Sequence, residues 1–335
     1  MSGAQAAGAG VDVCVVVPTF RRPGLLERCL RALQRQTLAP QRFEVVVVDD
    51  GLDDETRRRA LALAAECPGG PAIRYLRPGA SRGPATARNC GWRATAAPVV
   101  AFTDDDTLPQ PDWLREGLAA LDRHPDWVAA AGCVQVPRDG AGRPTDHELM
   151  TLGLERAAFV TANAFVRRDA LLRIGGFDER FRRAWREDSD LQFRLLDVGA
   201  LGQARRAVVQ HPARPERWGV SLRQQRNVFF DALLYRKHPR RYRRSIRPTP
   251  PWRYYAVVAL AAAAAGLALA SQPAAAAVAL AAAVLLVLGL AARRLRRTSL
   301  APGHVLEMLA TSALIPFLSV YWRLRGAWHF RVLFL

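Results

Sequence analysis

The run Pro98-Val-Val-Ala-Phe-Thr-Asp-Asp-Asp106 decides how the first two-thirds of this chain is read. Val99–Phe102 is short, apolar and bounded by Pro98, the composition of a buried strand. It feeds directly into three carboxylates. Adjacent carboxylates repel one another, so three of them at a buried strand end need a counter-charge. Hard oxygen ligands suit Mg²⁺ or Mn²⁺, and such an ion commonly carries a phosphorylated ligand.

Upstream, Val11–Pro18 and Phe43–Val48 are continuous apolar runs rich in β-branched residues, and Ile73–Leu76 is a shorter one. Between them lie helical patterns: Leu25–Gln36, with Leu25, Leu26, Leu30 and Leu33 on one period, then Asp54–Glu66 and Gly83–Thr95. Strands alternating with helices predict an α/β fold with a mostly parallel sheet. Ligands of such sheets sit at the carboxyl ends of the strands. Pro18-Thr19, Asp49-Asp50 and Asp104–Asp106 all fall at such ends, so three strand ends converge on one crevice. Downstream, the Pro-, Gly- and Asp-rich stretch Val134–Glu148 predicts a loop, Ala158–Val166 is apolar again, Gly175-Gly176 a turn, and Asp190–Leu196 a helix.

The 335 residues suffice for one large α/β domain with an appendage. A net charge of +18, almost all arginine (Lys237 is the lone lysine), admits nucleic acid, anionic lipid or a phosphorylated substrate as partners. Cys14, Cys29, Cys67, Cys90 and Cys133 are scattered without CxxC spacing, which points to reduced thiols in a cytosolic compartment. Residues 1–10 are small and polar with no basic n-region and are expected to form a disordered lead.

The last 80 or so residues change character. Tyr254–Ser271 and Ala274–Ala292 carry no charge and are separated by Gln272-Pro273. At about 1.5 Å per residue each nearly reaches the ~30 Å hydrocarbon thickness, so helices over 254–271 and 274–292 form a transmembrane hairpin. A buried Ala-rich hairpin of a soluble domain is the competing reading. Two arginine clusters, Arg236–Arg247 and Arg293–Arg297, bracket the pair and would lie on one side of the bilayer. Positive charge prefers the cytoplasm, which places the N-terminal domain there too, on a multi-pass protein of the cytoplasmic (inner) membrane. Each basic residue near an anionic leaflet contributes ~1 kcal/mol, so membrane lipids are expected partners. Val305–Trp322 holds Glu307 and Pro316 and is followed by Arg323, Arg325 and Arg331, so a re-entrant or interfacial helix is expected over 305–322.

The ordered set Val16-Val-Pro-Thr-Phe20, Val47-Val-Asp-Asp-Gly51, Gly83-Pro-Ala-Thr-Ala-Arg-Asn89, Phe102-Thr-Asp-Asp-Asp106, Gly175-Gly-Phe-Asp-Glu179 and Glu187-Asp188 resembles the family 2 glycosyltransferases. The resemblance spans roughly 11–240 and leaves 241–335 as the membrane region. It implies a GT-A fold and an inverting transfer from a nucleotide-diphospho-sugar. It also implies a role for each motif. Asp106 becomes the metal ligand, with Asp104 and Asp105 holding metal, ribose or sugar, and His211 a candidate to complete the metal shell. Asp50, with Asp49 beside it, matches the carboxylate near the base or ribose, and Pro18 and Thr19 close the first strand end. The bland reading of Asp49-Asp50-Gly51 is a turn. Arg82 and Arg88 are candidates to fork onto the diphosphate, or else plain surface arginines. Asp188 becomes the general base that takes the acceptor hydroxyl proton, with Glu187 orienting acceptor or base. As bland alternatives, Glu187 and Asp188 suit the first turn of a helix by its dipole.

Processive synthases of this family carry Gln-x-x-Arg-Trp; here Arg214 stands for the glutamine before Arg217-Trp218. With two or three membrane segments there is no room for a polymer channel, so one sugar is transferred at a time, to a lipid-linked or cell-envelope glycan acceptor. A sugar-phosphate nucleotidyltransferase would need a glycine-rich basic loop where Pro18-Thr-Phe-Arg-Arg-Pro23 stands. A catalytically dead glycan- or lipid-binding scaffold would not need Asp106 and Asp188. No nucleic-acid partner is expected, because the arginine clusters flank apolar segments and lack aromatics interleaved in a groove-reading motif.

Overall fold

The apolar runs of the first half become the centre of one sheet. The computed structural model describes residues 10–138 and 142–335; the expected lead, Gly10 apart, lies outside them. The strands are β1 (Val13–Thr19), β2 (Phe43–Asp49), β3 (Ala72–Leu76), β4 (Val99–Thr103), β5 (Leu108–Pro109), β6 (Trp127–Gln135), β7 (Asn163–Arg167) and β8 (Ala200–Gln210). They lie in the order β3-β2-β1-β4-β7-β6-β8-β5. The β3-β2-β1-β4 half is parallel, β6 and β8 are parallel, and β7 runs antiparallel between β4 and β6. The mostly parallel, helix-flanked sheet expected from the sequence is therefore borne out. Val13–Val17 and Val45–Val48 have no exposed surface, as strands covered on both faces require.

Register sets the site. Val16 pairs with Phe102 and Thr19 with Asp49, so the acidic end of β4 emerges beside the end of β1, and β1 beside that of β2. At the other edge, Leu108 pairs with Gln210, which brings His211 back to the acidic triplet. Asn163 stitches the middle of the sheet. Its side-chain amide donates to the carbonyls of Cys133 and Ala207 and accepts from the Trp113 indole. That amide fills the space beside Gly132, where a Cβ would come within 2.2 Å of it, at the irregularity between Gly132 and Cys133.

Contacts divide the described chain into two compact units: residues up to Pro137 with Leu154–Pro212, and Arg138–Gly153 with Ala213–Leu335. The second is helical. Asp146–Leu152 opens on a capping box between Thr145 and Glu148, where the sequence suggested only loop. Three helices, Trp252–Leu269, Pro273–Leu295 and Pro302–His329, are long and apolar enough to cross a membrane. The first two match the expected hairpin within three residues at each end. The third is one continuous helix, longer at both ends than the expected 305–322, and Pro316 does not end it. Leu269, Val278 and Leu285 are largely exposed, as lipid-facing side chains would be. Arg294, from the cluster read as a flank, instead turns inward. It bonds Asp146 at 2.7 Å, Thr311 at 2.7 Å, and Ser312 and Ser221 at 3.0 and 3.1 Å.

Candidate active site

The four acidic motifs and His211 meet at the carboxyl edge of the sheet, in the first unit. Asp104, Asp106 and His211 each present a ligand atom within 4.8 Å of the others. His211 Nε2 lies 3.5 Å from Asp106 Oδ1, and its Nδ1 is buried with no partner among the described residues. Two carboxylates and an imidazole within one ion's reach are a donor set for Mg²⁺ or Mn²⁺, so the residues present fit a divalent metal.

Asp105 points elsewhere. It accepts from Thr19 Oγ1 at 2.7 Å and Arg22 Nη1 at 3.0 Å. Burial pushes its pKa up to about 6, against the pull of Arg22. Burial also works against ionisation of Asp104, but Arg88, His211 and Arg22 outweigh it and hold that carboxyl below the ordinary range. Arg22, which also reaches Asp106 at 3.5 Å, was passed over in the sequence reading. The signal was there: a cation just past the first strand end, in Arg21-Arg22-Pro23.

Asp49 and Asp50 divide labour. Asp49 has no exposed surface; it accepts from the Gly51 and Asp53 amides and from Tyr75 Oη, at 2.9, 2.7 and 2.6 Å. Both its oxygens hold the turn after β2. Asp50 accepts from Ser81 Oγ and the amides of Arg82 and Gly83, which pins the loop before helix Pro84–Arg93. Gly83 is required there: its φ is +97° and a Cβ would sit 2.4 Å from the Arg182 carbonyl. Pro18 is half-buried and pairs in register with Val48, and the Arg82 side chain is exposed.

Arg88 is neither on the surface nor free. It is 3 % exposed and bonds Asp104 Oδ1 at 2.7 Å and Glu187 Oε1 at 3.1 Å. It thus joins the acidic triplet to the Glu187-Asp188 pair. Its neighbour Asn89 donates to Phe177 O and Glu179 and accepts from the Phe177 amide and Trp92, locking the Gly175–Glu179 turn onto the Pro84–Arg93 helix. Glu187 and Asp188 begin helix Glu187–Leu195, directly after Arg186 at φ +74°. Asp188 Oδ1 accepts from the Ser189 amide at 2.6 Å.

Burial, then mutual repulsion, pushes Glu187 up to about 7; burial also raises Asp188. A base must be ionised to accept a proton, so activity is expected to fall as pH drops through the pair's raised titration, well above the ordinary aspartate value. The Glu187 contribution to stability has the opposite sense. It is complete below about 4.5 and is lost as pH rises through about 7. A pH–rate profile beside a pH–unfolding profile checks this. An acid limb at the usual aspartate value would contradict it.

A family model described as glycosyl transferase family 2 matches residues 14–184, just over half of the chain. The chain belongs to glycosyl transferase family 2. That membership bears out the family and the glycosyltransferase class implied by the six motifs. Among curated relatives, the validoxylamine A glucosyltransferase of Streptomyces hygroscopicus subsp. limoneus is 29 % identical over 268 residues, 67 % of this chain and 56 % of that one. Glycosyltransferase AglE of Haloferax volcanii is 27 % identical over 223 residues, 64 % of this chain and 71 % of that one. The family 2 chain thus spans less than two-thirds of its Streptomyces relative. A solved structure of mannosyltransferase PcManGT from Pyrobaculum calidifontis, in complex with GDP-Man and Mn²⁺, superposes with a TM-score of 0.62 at 22 % identity, covering 98 % of this chain and 91 % of that one. It supports the GT-A architecture.

Proposed function

We propose that the protein transfers a single sugar, with inversion, from a nucleotide-diphospho-sugar to a lipid-linked or cell-envelope glycan acceptor at the cytoplasmic face of the inner membrane. The observation that carries this is the convergence of Asp104, Asp106 and His211 on one point, tied through Arg88 to Glu187 and Asp188. The GDP-Man and Mn²⁺ of the Pyrobaculum protein support a nucleotide-sugar and a divalent cation, not a particular sugar.

Asp104, Asp106 and His211 would hold the metal, which when bound supplies Lewis-acid neutralisation of a departing diphosphate. Arg22, partly exposed at the mouth of the site, adds positive charge for the same phosphates. Asp50 and Gly83 shape the loop on which Arg82 stands, toward the base and ribose. Asp188, whose second oxygen has no partner among the described residues, takes the acceptor hydroxyl proton, and Glu187 is held by Arg88 to orient it. The three apolar helices, flanked by arginines, keep the reaction near anionic lipid.

The test is release of nucleoside diphosphate from a panel of nucleotide-sugars by the detergent-purified protein with Mg²⁺ or Mn²⁺. One donor should be hydrolysed slowly, and EDTA or Asp106→Ala should reduce release by about 10²-fold or more, the scale of one lost electrostatic stabiliser. A protein that binds no nucleoside diphosphate with either metal would sink the reading and favour a scaffold.

A further inference from the structure

Helix Pro302–His329 has two unlike sides. Leu306, Leu314, Phe317, Tyr321, Leu324 and Trp328 are all exposed. At the helical 3.6 residues per turn the six fall within an arc of about 80°. Thr311, Ser312, Ser319 and Arg323 lie on the opposite side and are buried. The helix thus buries its polar side and shows its apolar one, the reverse of a surface helix in water.

What the buried side touches fixes how the helix lies. Arg294 is the next-to-last residue of helix Pro273–Leu295, and it bonds Thr311 Oγ1 and Ser312 Oγ at 2.7 and 3.0 Å. Tyr255 is in the first turn of helix Trp252–Leu269, and the Arg323 charge acts on its phenol. The first turn of one hairpin arm and the last turn of the other lie at the same end of the hairpin, the end at which the chain enters and leaves it. Thr311 and Arg323 are twelve residues apart in sequence, about 18 Å along their own helix. Two places that far apart on helix Pro302–His329 therefore meet the same end of the hairpin. The helix runs across that end and not alongside the two arms.

Contacts near its ends agree. Glu307 Oε1 accepts from the Gly219 amide at 2.7 Å. Gly326 lies against Phe229, where a Cβ would come within 2.5 Å of the Phe229 carbonyl, and the Phe330 carbonyl accepts from Arg236 at 2.8 Å. Glu307 and Gly326 are about 29 Å apart along the helix, close to the thickness of a bilayer's hydrocarbon. Both meet segment 219–237, which carries Arg223, Arg226, Asp231, Arg236 and Lys237. A stretch with five charges does not cross hydrocarbon, and this one precedes the hairpin in the chain, so it stays on the entry side. A spanning helix would have its two ends on opposite sides and could not meet that segment at both. Spanning would also carry Arg325 and Arg331 away from the side that the arginine clusters prefer.

We propose that helix Pro302–His329 lies in one leaflet of the bilayer, across the entry end of the hairpin, with its apolar stripe seated among lipid chains. The chain then crosses the membrane twice and not three times, and Arg331 returns to the side from which Trp252 enters. The stripe continues the lipid-facing surface of Leu269, Val278 and Leu285, and the arginines beside it suit an anionic leaflet. The inference rests on the hairpin spanning the membrane, and the test separates the two.

Full-length protein in sealed membrane vesicles is treated with a charged, impermeant maleimide, and labelled sites are read peptide by peptide. Arg247→Cys, Gln272→Cys and Arg331→Cys place reporters before the hairpin, in its turn and after the third helix, all at exposed positions. Arg331→Cys should label to the same extent as Arg247→Cys, and Gln272→Cys should label from the other face. An Arg331→Cys that labels with Gln272→Cys overturns the proposal. If all three label alike from one face, the hairpin does not span, and both readings fall together. Depth is the second measurement. Nitroxides are placed by Leu306→Cys, Phe317→Cys and Trp328→Cys in a protein whose half-buried Cys67, Cys90 and Cys133 are serine. The three should lie within about 5 Å of one depth, whereas a spanning helix would put Phe317 roughly 15 Å deeper than the other two.

Discussion

Asp188→Asn is expected to slow sugar transfer by about 10²–10⁴-fold, the span of a positioned general base, while leaving nucleoside diphosphate affinity within about twofold. The substitution keeps the shape and the bond from the Ser189 amide but removes the capacity to take a proton. Its effect therefore falls on kcat and not on donor binding. Stopped assays at saturating donor and acceptor, beside calorimetric binding of the nucleotide, separate the two. Loss of both together would mean that Asp188 holds the fold and not the proton. Glu187→Gln should be milder in rate and should move the acid limb of the pH profile, because Glu187 is the repelling neighbour of Asp188.

The second large effect is on stability. Arg88→Met should destabilise the catalytic unit by about 3–5 kcal/mol, since it leaves two buried carboxylates, Asp104 and Glu187, without their shared cation. The loss should grow as pH rises above about 7, where wild-type Glu187 ionises beside Arg88 while the variant's Glu187, without that cation, keeps its proton to higher pH. Arg88→Lys should recover only part, because one ammonium cannot fork to both carboxylates. Arg93→Met, at the half-exposed Arg93–Glu179 pair of the same helix, is the control and should change little. Thermal unfolding at two pH values decides it; an Arg88→Met protein as stable as wild type would remove Arg88 from the centre of the site.

The same arginine marks where the sequence stops being readable. β1, β2 and β4 were legible because valine runs bounded by Pro or Asp admit few other readings, and the strand ends carried the acidic motifs with them. β6 was not: Val128-Ala-Ala-Ala-Gly132 is too small-sided to signal a strand, and its Gly132 leaves the space that the Asn163 amide fills. β8 was not legible either, since Arg205-Arg206 interrupt its alternation. The residues proposed for metal and base are named from the motifs alone, but their partners could not be. Whether Arg88 faces solvent, phosphate or Glu187 depends on a contact 99 positions away. Likewise, no local pattern says that both Asp49 oxygens close a turn while Asp50 secures the next loop.

His211 has a consequence in time. It is the last member of its cluster along the chain and lies one residue before the end of the first compact unit, roughly 40 residues ahead of helix Trp252–Leu269. At 5–20 residues per second, a ribosome needs about 2–8 s to cover that interval. The whole Asp104–Asp106–His211 cluster is thus synthesised before the first apolar helix begins to be made. The order of synthesis completes the first unit's acidic crevice before any of the long apolar helices exists.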